Sequence, residues 1–448
     1  MIVAVSMGMI LGLLTGLFPG IGTASLILSV YMILLQFDLV NVLLFYIALM
    51  STLSYYGNIS AIIFGVHGEI TSGPAVEYGH ELFKKNQQDG TKALIYTATS
   101  SFIGSIFAIF VMLFMFFNLD FLIPLFSNFV KVVILTVAIV ALVSLCQNKF
   151  LGILFAMIGL LLGKIGYDNL FQTRILTVDH SNLLDAGIPF ISLFIGLVVL
   201  PQLWELIKNK KVINYSPTWN DVTLLKRIKI LLRFPYVYSV MRGSIIGIFT
   251  GVIPGVSYAI SSSTAAAIEK NICIYNKNKQ RDINFKCVVS AETANNTASI
   301  VVLIPLLMLA LPIIPSEAII FSIAENKGFG VATSRLFLET HGLTIFWVLL
   351  FANTINWVFS GIFYVIVSRF YFLVKDYIYY FLFGTIICVN YYAATLTNSE
   401  FLATIFLLTF FLLGFIVKDI NTKSTMVFAF FLADPLVNEI YRFWLLNT

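Results

Sequence analysis

Two clusters of amide and hydroxyl side chains lie inside apolar stretches, and they are the residues best suited to chemistry. One occupies 54–60 (SYYGNIS) and the other 292–299 (ETANNTAS). Such groups are costly in lipid unless partnered, and they mark pathways when they face a cavity. Amide, hydroxyl and carbonyl oxygens suit Na⁺, whereas free N–H groups at helix ends suit a carboxylate. The clusters predict a small-ion site, and interhelical hydrogen bonding is the alternative.

An internal repeat precedes the two clusters. Residues 8–22 (GMILGLLTGLFPGIG) and 243–257 (GSIIGIFTGVIPGVS) share six Gly, Thr and Pro positions at identical spacing. Glycines four residues apart allow close helix packing, and the Pro-Gly pair then breaks the helix. Matched breaks in two halves point to a transport site. A kinked packing helix is the alternative.

The composition predicts a membrane protein. Hydrophobic residues make up 59% of the chain and charged residues 11%, against about 25% charged in soluble domains. Between the charged stretches lie apolar runs of about 20 residues, the length that crosses the hydrocarbon core. The net charge of +5 therefore concerns membrane orientation, and no nucleic-acid partner is expected.

Basic residues cluster at 84–92, 208–242 and 270–286, which we expect to be cytoplasmic. The second Pro-Gly segment, 243–268, then enters and returns as a re-entrant hairpin, and its partner, 2–37, does so from outside. The predicted fold is an all-α integral membrane protein of two inverted repeats, each with about five transmembrane helices and one broken Pro-Gly hairpin. The expected spans lie near 39–66, 93–117, 127–147, 150–166, 186–206, 288–312, 341–367, 376–394, 400–417 and 424–446.

The corresponding domain division has three parts. Residues 1–207 form the first membrane repeat, 208–242 a basic cytoplasmic linker, and 243–448 the second repeat.

The predicted binding residues come from the hairpin tips, the hydroxyls after them and the two polar clusters. They are Pro19, Gly20, Gly22, Thr23, Tyr56, Gly57, Asn58, Ser60, Pro254, Gly255, Ser257, Ser261, Ser262, Glu292, Asn295, Asn296 and Thr297. Glu292 is equally compatible with a first-turn position at the water interface. Alanine at Gly20 or Gly255 is expected to impair transport more than alanine at Gly8 or Gly243, which we place on the outer part of the glycine face.

No catalytic or metal residues are predicted. The sequence lacks the zinc-protease, serine-hydrolase and phosphate-loop motifs. Asp168, Arg174 and Asp179 lie together in a stretch that we interpret as an ordered extracytoplasmic loop. The four cysteines and four histidines show no metal-ligand spacing, so no cofactor is expected beyond a coupling Na⁺ or H⁺.

These motifs resemble the large permease subunit of the tripartite tricarboxylate transporters, the TctA family. The most specific match is AETANNTA at 291–298 with LIPLLML at 303–309, which resembles the family's Pro-Glu-Ala-Asn-Asn signature and the run after it. The remaining matches are FPGIG at 18–22, YYGNISAII at 55–63, GYDNLFQTR at 166–174, LLDAGIPF at 183–190, IPGVS at 253–257 and ADPLVNE at 433–439.

The resemblance implies an ion-driven carrier in a bacterial inner membrane. It would work with a small four-helix membrane subunit and a periplasmic solute-binding protein that delivers a small carboxylate. Two departures bear on the substrate. The family's Pro-Gly-Glu appears as His67-Gly68-Glu69, and its Gly-Ile-Pro-Gly appears as Ala310-Leu311-Pro312-Ile313.

Three functions remain open at this point. A secondary transporter moving a di- or tricarboxylate-like anion is the favoured hypothesis. A membrane-embedded enzyme acting on lipid and a channel or scaffold subunit without coupled transport are the alternatives.

Overall fold

A computed structural model describes residues 1–17, 23–65, 70–122, 128–168, 173–175, 187–208, 236–252, 257–366, 377–395 and 400–447. The helices of the first half are α1 (Ile2–Leu17), α2 (Thr23–Ser29), α3 (Tyr31–Gln36), α4 (Leu39–Ile59), α5 (His80–Lys85), α6 (Gln87–Phe117), α7 (Leu119–Leu122), α8 (Asn128–Leu145), α9 (Lys149–Gly163), α10 (Phe190–Phe194) and α11 (Leu200–Lys208). Those of the second half are α12 (Tyr236–Gly251), α13 (Ser257–Tyr275), α14 (Gln280–Val301), α15 (Leu303–Leu309), α16 (Pro315–Glu325), α17 (Val331–Val358), α18 (Ile378–Thr395), α19 (Glu400–Ile416) and α20 (Ile420–Asn447).

The predicted helical architecture is confirmed. Four helical stretches of the described chain are long and apolar enough to cross a membrane, namely Leu39–Ile63, Gln87–Phe117, Gln280–Leu309 and Val331–Val358. Shorter apolar helices accompany them. A two-stranded antiparallel ribbon, β1 (Gly166–Asp168) with β2 (Thr173–Ile175), lies in the predicted ordered loop and is the one departure from all-helical structure that we describe.

The glycine-spaced face of each half packs its first helix onto a long central helix. In the first half Gly8 lies against Phe45 and Gly12 against Thr52, so α1 and α4 run in the same direction. A Cβ added to Gly12 would lie 2.6 Å from Thr52 Cβ, which leaves no room for alanine without a shift. Close helix approach is therefore the role of this spacing.

The second half repeats this packing. Gly243 lies against Ser290 and Gly247 against Thr297, so α12 and α14 also run in the same direction. Cβ atoms added to Gly8 and Gly243 would overlap backbone carbonyl oxygens of Phe45 and Ser290. Gly8 and Gly243, on the outer part of the face, therefore also pack closely on the central helices, and alanine at either position would require the helices to shift.

The second Pro-Gly segment joins two helices that reverse direction. Thr250 of α12 hydrogen-bonds Ser261 of α13 near the break, and Arg242 pairs with Glu269 farther from it. These pairings require α12 and α13 to be antiparallel. The break itself, 253–256, lies outside the described residues, as does 18–22 between α1 and α2.

Charged contacts between the halves lie at one end of the bundle. Arg281 of α14 forms two hydrogen bonds of 2.8 and 2.7 Å with Asp89 of α6. Nearby, Asn284 Nδ2 donates to Glu81 Oε2 at 2.9 Å. The basic regions 84–92 and 270–286 therefore share one end, as the topology prediction requires.

Other ion pairs mark the opposite end. The helix α6 has 31 residues and is about 46 Å long at about 1.5 Å per residue. Asp89 is in its first turn, whereas Asp120 follows its last and pairs with Arg335 of α17 at 2.6 Å. Arg335, the last residue of the predicted outer segment 320–335, thus lies at the end opposite the 84–92 cluster.

Candidate functional site

The two polar clusters of the sequence meet where α4 crosses α14. Asn58 Nδ2 donates to Glu292 Oε2 at 2.5 Å, and Ser54 Oγ lies 3.3 Å from Ser299 Oγ. Ser54 precedes Asn58 whereas Ser299 follows Glu292, so α4 and α14 are antiparallel. All four side chains are buried. Glu292 is fully buried within α14, which excludes the interfacial first-turn alternative.

Asn296 links this crossing to a third helix. Its Nδ2 donates to Ser101 Oγ of α6 at 2.7 Å and to the Glu292 carbonyl oxygen at 3.1 Å. The same amide lies 3.5 Å from the carbonyl oxygen of Ser54, and so does the amide of Asn58. The counterpart asparagines of the two halves thus approach the same carbonyl group from different helices.

Three oxygens of the second cluster are buried without a hydrogen-bond partner in the described structure. They are Asn295 Oδ1, Asn296 Oδ1 and Thr297 Oγ1. An unpartnered buried polar atom costs about 1–3 kcal/mol, so native proteins rarely retain one unless a ligand, ion or water completes it. The cluster therefore has spare acceptor capacity of the kind that a cation or a bound water would use.

The first cluster ends in a change of helix geometry. Directly after Ile59, α4 continues as a π-helical turn, Ser60–Phe64. Such turns are rare and often occur at functional sites because they redirect side chains. Ser60 Oγ donates to the Gly57 carbonyl oxygen at 3.2 Å and so remains within its own helix.

Tyr56 points to a different neighbour. Its hydroxyl donates to the Asn356 carbonyl oxygen on α17 at 3.2 Å, and its ring packs edge-on against Phe363 and Tyr364. The structure therefore brings Asn58, Glu292 and Asn296 together and directs Tyr56 towards α17.

The hairpin hydroxyls make local contacts. Thr23 is buried at the start of α2. Ser261 bonds across the second hairpin to Thr250, and Ser262 Oγ donates to the Thr71 carbonyl oxygen at 2.8 Å. Ser257 begins α13. The predicted tip residues Pro19, Gly20, Gly22, Pro254 and Gly255 lie outside the described residues, as do His67, Gly68 and Glu69.

A buried ion pair next to this region was missed from the sequence. Arg242 of α12 holds Glu269 of α13 through two bonds of 2.8 Å, and Ser239 Oγ adds a third at 2.8 Å. Glu269 is 1% exposed. A signal was available, because folding the chain at Pro254 places 242 opposite 269. Ser101 was missed as well, although it ends the polar run TATSS at 97–101.

At the charged end, neighbouring side chains alter the titration of Glu81. Hydrogen bonds from the Lys85 ammonium and the Asn284 amide hold the pKa of the Glu81 carboxyl below its usual value. Among the described residues, no group of three or more His, Cys, Asp or Glu side chains could hold a metal ion.

Comparison with known proteins identifies the family. A family model described as the tripartite tricarboxylate transporter TctA family matches residues 2–428. The chain belongs to the TctA family. As a TctA protein with apolar helices of membrane-spanning length, it is a multi-pass membrane protein.

Two curated relatives have modest sequence identity to this chain. An uncharacterized 52.8 kDa protein in the TAR-I ttuC' 3' region of Agrobacterium vitis is 26% identical over 322 residues, which cover 70% of this chain and 61% of that protein. The uncharacterized protein MJ1079 of Methanocaldococcus jannaschii is 25% identical over 256 residues, covering 56% and 58%. The chain thus spans about three-fifths of the length of these relatives. No solved structure matches.

One departure from the TctA pattern has a conformational basis. Ala310 stands where the family usually has glycine, and its backbone is left-handed with φ of 51°. This conformation favours glycine, because a Cβ there crowds the carbonyl group. The turn that ends α15 thus suits glycine, and this chain makes it with a strained alanine.

Proposed function

We propose that this chain is the permease subunit of a secondary active transporter that moves a small organic anion, of di- or tricarboxylate type, across a bacterial inner membrane. Transport is coupled to a gradient of Na⁺ or H⁺. A periplasmic solute-binding protein delivers the anion, and a small four-helix membrane subunit completes the assembly. The observation that carries this proposal is the meeting of Asn58, Glu292 and Asn296 at the crossing of α4 and α14.

The helix directions support inverted repeats. Each half has a glycine-faced helix parallel to its central helix, α1 with α4 and α12 with α14, while the two central helices are antiparallel to each other. Two copies of one unit in opposite orientations give this pattern. Transporters of this class bind their substrate where the broken elements of the repeats meet.

Charge divides the proposed site into two parts. Glu292 contributes a carboxyl to the crossing, and a carboxylate beside its ionised form would be repelled. The crossing therefore suits the coupling cation, which Glu292 and the oxygens of Asn295 and Asn296 would hold. The anion then belongs at the hairpin tips, where helix ends offer N–H groups and positive dipole ends.

Uptake into proteoliposomes tests the function. We expect labelled di- or tricarboxylate to accumulate when the chain is reconstituted with its small subunit and binding protein, and to accumulate more with an inward Na⁺ or H⁺ gradient. Asn58→Ala and Asn296→Ala should each abolish uptake at unchanged membrane abundance, since a lost hydrogen bond in a membrane bundle costs only about 0.6 kcal/mol.

Asn356→Ala is the matched control. Asn356 is equally buried on α17, and its amide donates to Thr52 Oγ1 at 3.0 Å rather than to a residue of the 54–60 or 292–299 cluster. Its loss should leave most uptake in place. Wild-type uptake by both Asn58 and Asn296 variants would remove the crossing from the mechanism, and no uptake by any form would favour a scaffold subunit.

Cysteine labelling tests the topology. Single cysteines in 84–92, 208–233 and 273–281 should react from the cytoplasm, and those in 168–182 and 320–335 from outside. Labelling of 208–233 and 273–281 from opposite faces would contradict the re-entrant hairpin and, with it, the inverted arrangement.

A further inference from the structure

A second buried glutamate lies outside the proposed site. Glu317 is the third residue of α16 and is 0% exposed. Its Oε2 accepts a hydrogen bond from the backbone N–H of Ile313 at 2.7 Å, and the N–H of Ile314 also points to the carboxyl. The carboxyl therefore folds back over the start of its own helix.

The other oxygen of this carboxyl has no partner. Glu317 Oε1 is buried and accepts no hydrogen bond in the described structure. Glu317 forms no ion pair with a described basic side chain, and its described interactions are with the backbone N–H groups of Ile313 and Ile314. Two backbone hydrogen bonds offset only part of the desolvation free energy of an ionised carboxylate in this environment. A proton on the free oxygen neutralises the group and removes this penalty.

The described side chains of the elements around Glu317 supply no compensating charge. The helix α16 packs against α2, α4 and α20. The helix α2 has no titratable residue, and on α4 Tyr46 faces α16, with its hydroxyl 3.1 Å from Ser316 Oγ. On α20 the one described basic side chain, Lys423, lies near Glu205 and Asp419 instead. The titratable residues of α20 with described side chains are Lys423, Glu439 and Tyr441.

We propose that Glu317 is a proton-binding site, occupied by a proton on Oε1 while α16 is packed as described and ionised when water reaches it. The proton comes from bulk water and returns to it, with no other bond made or broken. The helix α16 contacts α2, which follows the first Pro-Gly break. Whether a proton occupies Glu317 therefore depends on how α2 and α16 pack together. The proposal concerns proton binding and stands whether or not the chain carries an anion.

Helix capping is the competing explanation. A glutamate at the third helical position often accepts backbone N–H groups, and glutamine does the same without titrating. Glu317→Gln therefore keeps the acceptor for Ile313 and removes the proton site, which separates the two roles.

Infrared spectroscopy of the full chain in lipid nanodiscs at neutral pH tests the proposal. We expect a carbonyl stretch from a protonated carboxylic acid, shifted by exchange into D₂O. Glu317→Gln should lose an amplitude corresponding to one carboxyl per chain. The matched control is Glu269→Gln, which alters an equally buried glutamate already paired with Arg242 and should leave the band unchanged.

Each outcome decides the question. Absence of the band from the wild type, or its full retention in Glu317→Gln, overturns the proposal and leaves helix capping. If Glu317→Gln does not fold, Glu292→Gln and Glu439→Gln assign the band by subtraction. A band that persists in Glu292→Gln, Glu439→Gln and Glu269→Gln supports Glu317, and one that vanishes in Glu292→Gln or Glu439→Gln overturns the proposal.

Discussion

The two halves use the same packing for their central helices but hold their hairpins in different ways. In both halves, glycines four residues apart bring the first helix onto the central helix, Gly12 onto Thr52 and Gly247 onto Thr297. In the second half a buried ion pair, Arg242 with Glu269, also joins the two hairpin arms. Residues 1–37 contain no charged side chain, so no equivalent ion pair can join the two arms of the first hairpin.

The difference separates what a repeated unit needs from what one copy adds. Close backbone approach is common to both halves and therefore belongs to the architecture. The ion pair belongs to one copy and fixes α12 against α13. The return arm of the first half is divided into α2 and α3, and α2, which has no charged side chain, packs against α16 and α18. We therefore expect the first hairpin to change its packing at lower cost than the second.

The largest expected effect breaks the ion pair. Glu269→Ala leaves Arg242 without its partner in a largely buried place, which should destabilise the protein by roughly 3–5 kcal/mol. Thermal unfolding in detergent measures this loss. The double change Arg242→Met with Glu269→Leu should recover part of it, because an apolar pair leaves no unpaired charge.

The control for this prediction is an exposed pair between the halves. Glu77 and Lys270 lie 3.3 Å apart with 59% and 41% of their side chains exposed. Glu77→Ala should cost about 0–1 kcal/mol, as exposed pairs usually do. Equal losses in Glu77→Ala and Glu269→Ala would mean that the second hairpin is not held by its ion pair.

The next effect tests the shared packing. Gly12→Ala and Gly247→Ala each place a methyl group 2.6 Å from a threonine Cβ on the central helix. Overpacking of this kind typically costs about 1–3 kcal/mol, and the two losses should be similar. Gly384→Ala is the control, since no atom lies within 4 Å of a Cβ at that glycine of α18. Tolerance of alanine at only one of Gly12 and Gly247 would show that the halves do not pack alike.

Hydropathy and periodicity located the long helices well. The predicted span 400–417 matches Glu400–Ile416, and 93–117 lies within Gln87–Phe117. The prediction started α14 at 288, whereas it begins at Gln280, because hydropathy excludes the charged first turns that Asp89 and Glu81 partner. The helix α16 was not predicted, since a short helix inside a protein interior carries no membrane-length signal.

The candidate site was also predictable only in part. Chain position alone identified Asn58 and Asn296 as counterparts. Their convergence on Ser54 depends on how α4 crosses α14, and neither hydropathy nor periodicity encodes a crossing point. The Arg242–Glu269 pair was missed because charged residues near a span were interpreted as loop or interface, although a hairpin turning at Pro254 places them opposite each other.

The smallest effect concerns how each central helix ends. The first ends at Gly65 with φ of 64°, and the second, extended by α15, ends at Ala310 with φ of 51°. Left-handed backbone costs a residue with a Cβ about 1–2 kcal/mol, and glycine avoids this cost. Glycine also has more conformational entropy in the unfolded chain, which offsets part of the stabilisation. We therefore expect Ala310→Gly to stabilise the protein by about 0.5 kcal/mol. The reverse change, Gly65→Ala, adds that strain and also places a Cβ 2.5 Å from the His80 ring. It should therefore destabilise the protein by at least about 1–2 kcal/mol. Unfolding temperatures of the two variants measure both effects. A loss of stability in Ala310→Gly would show that the Ala310 methyl group contributes packing that outweighs its strain, and that the second helix end is built differently from the first.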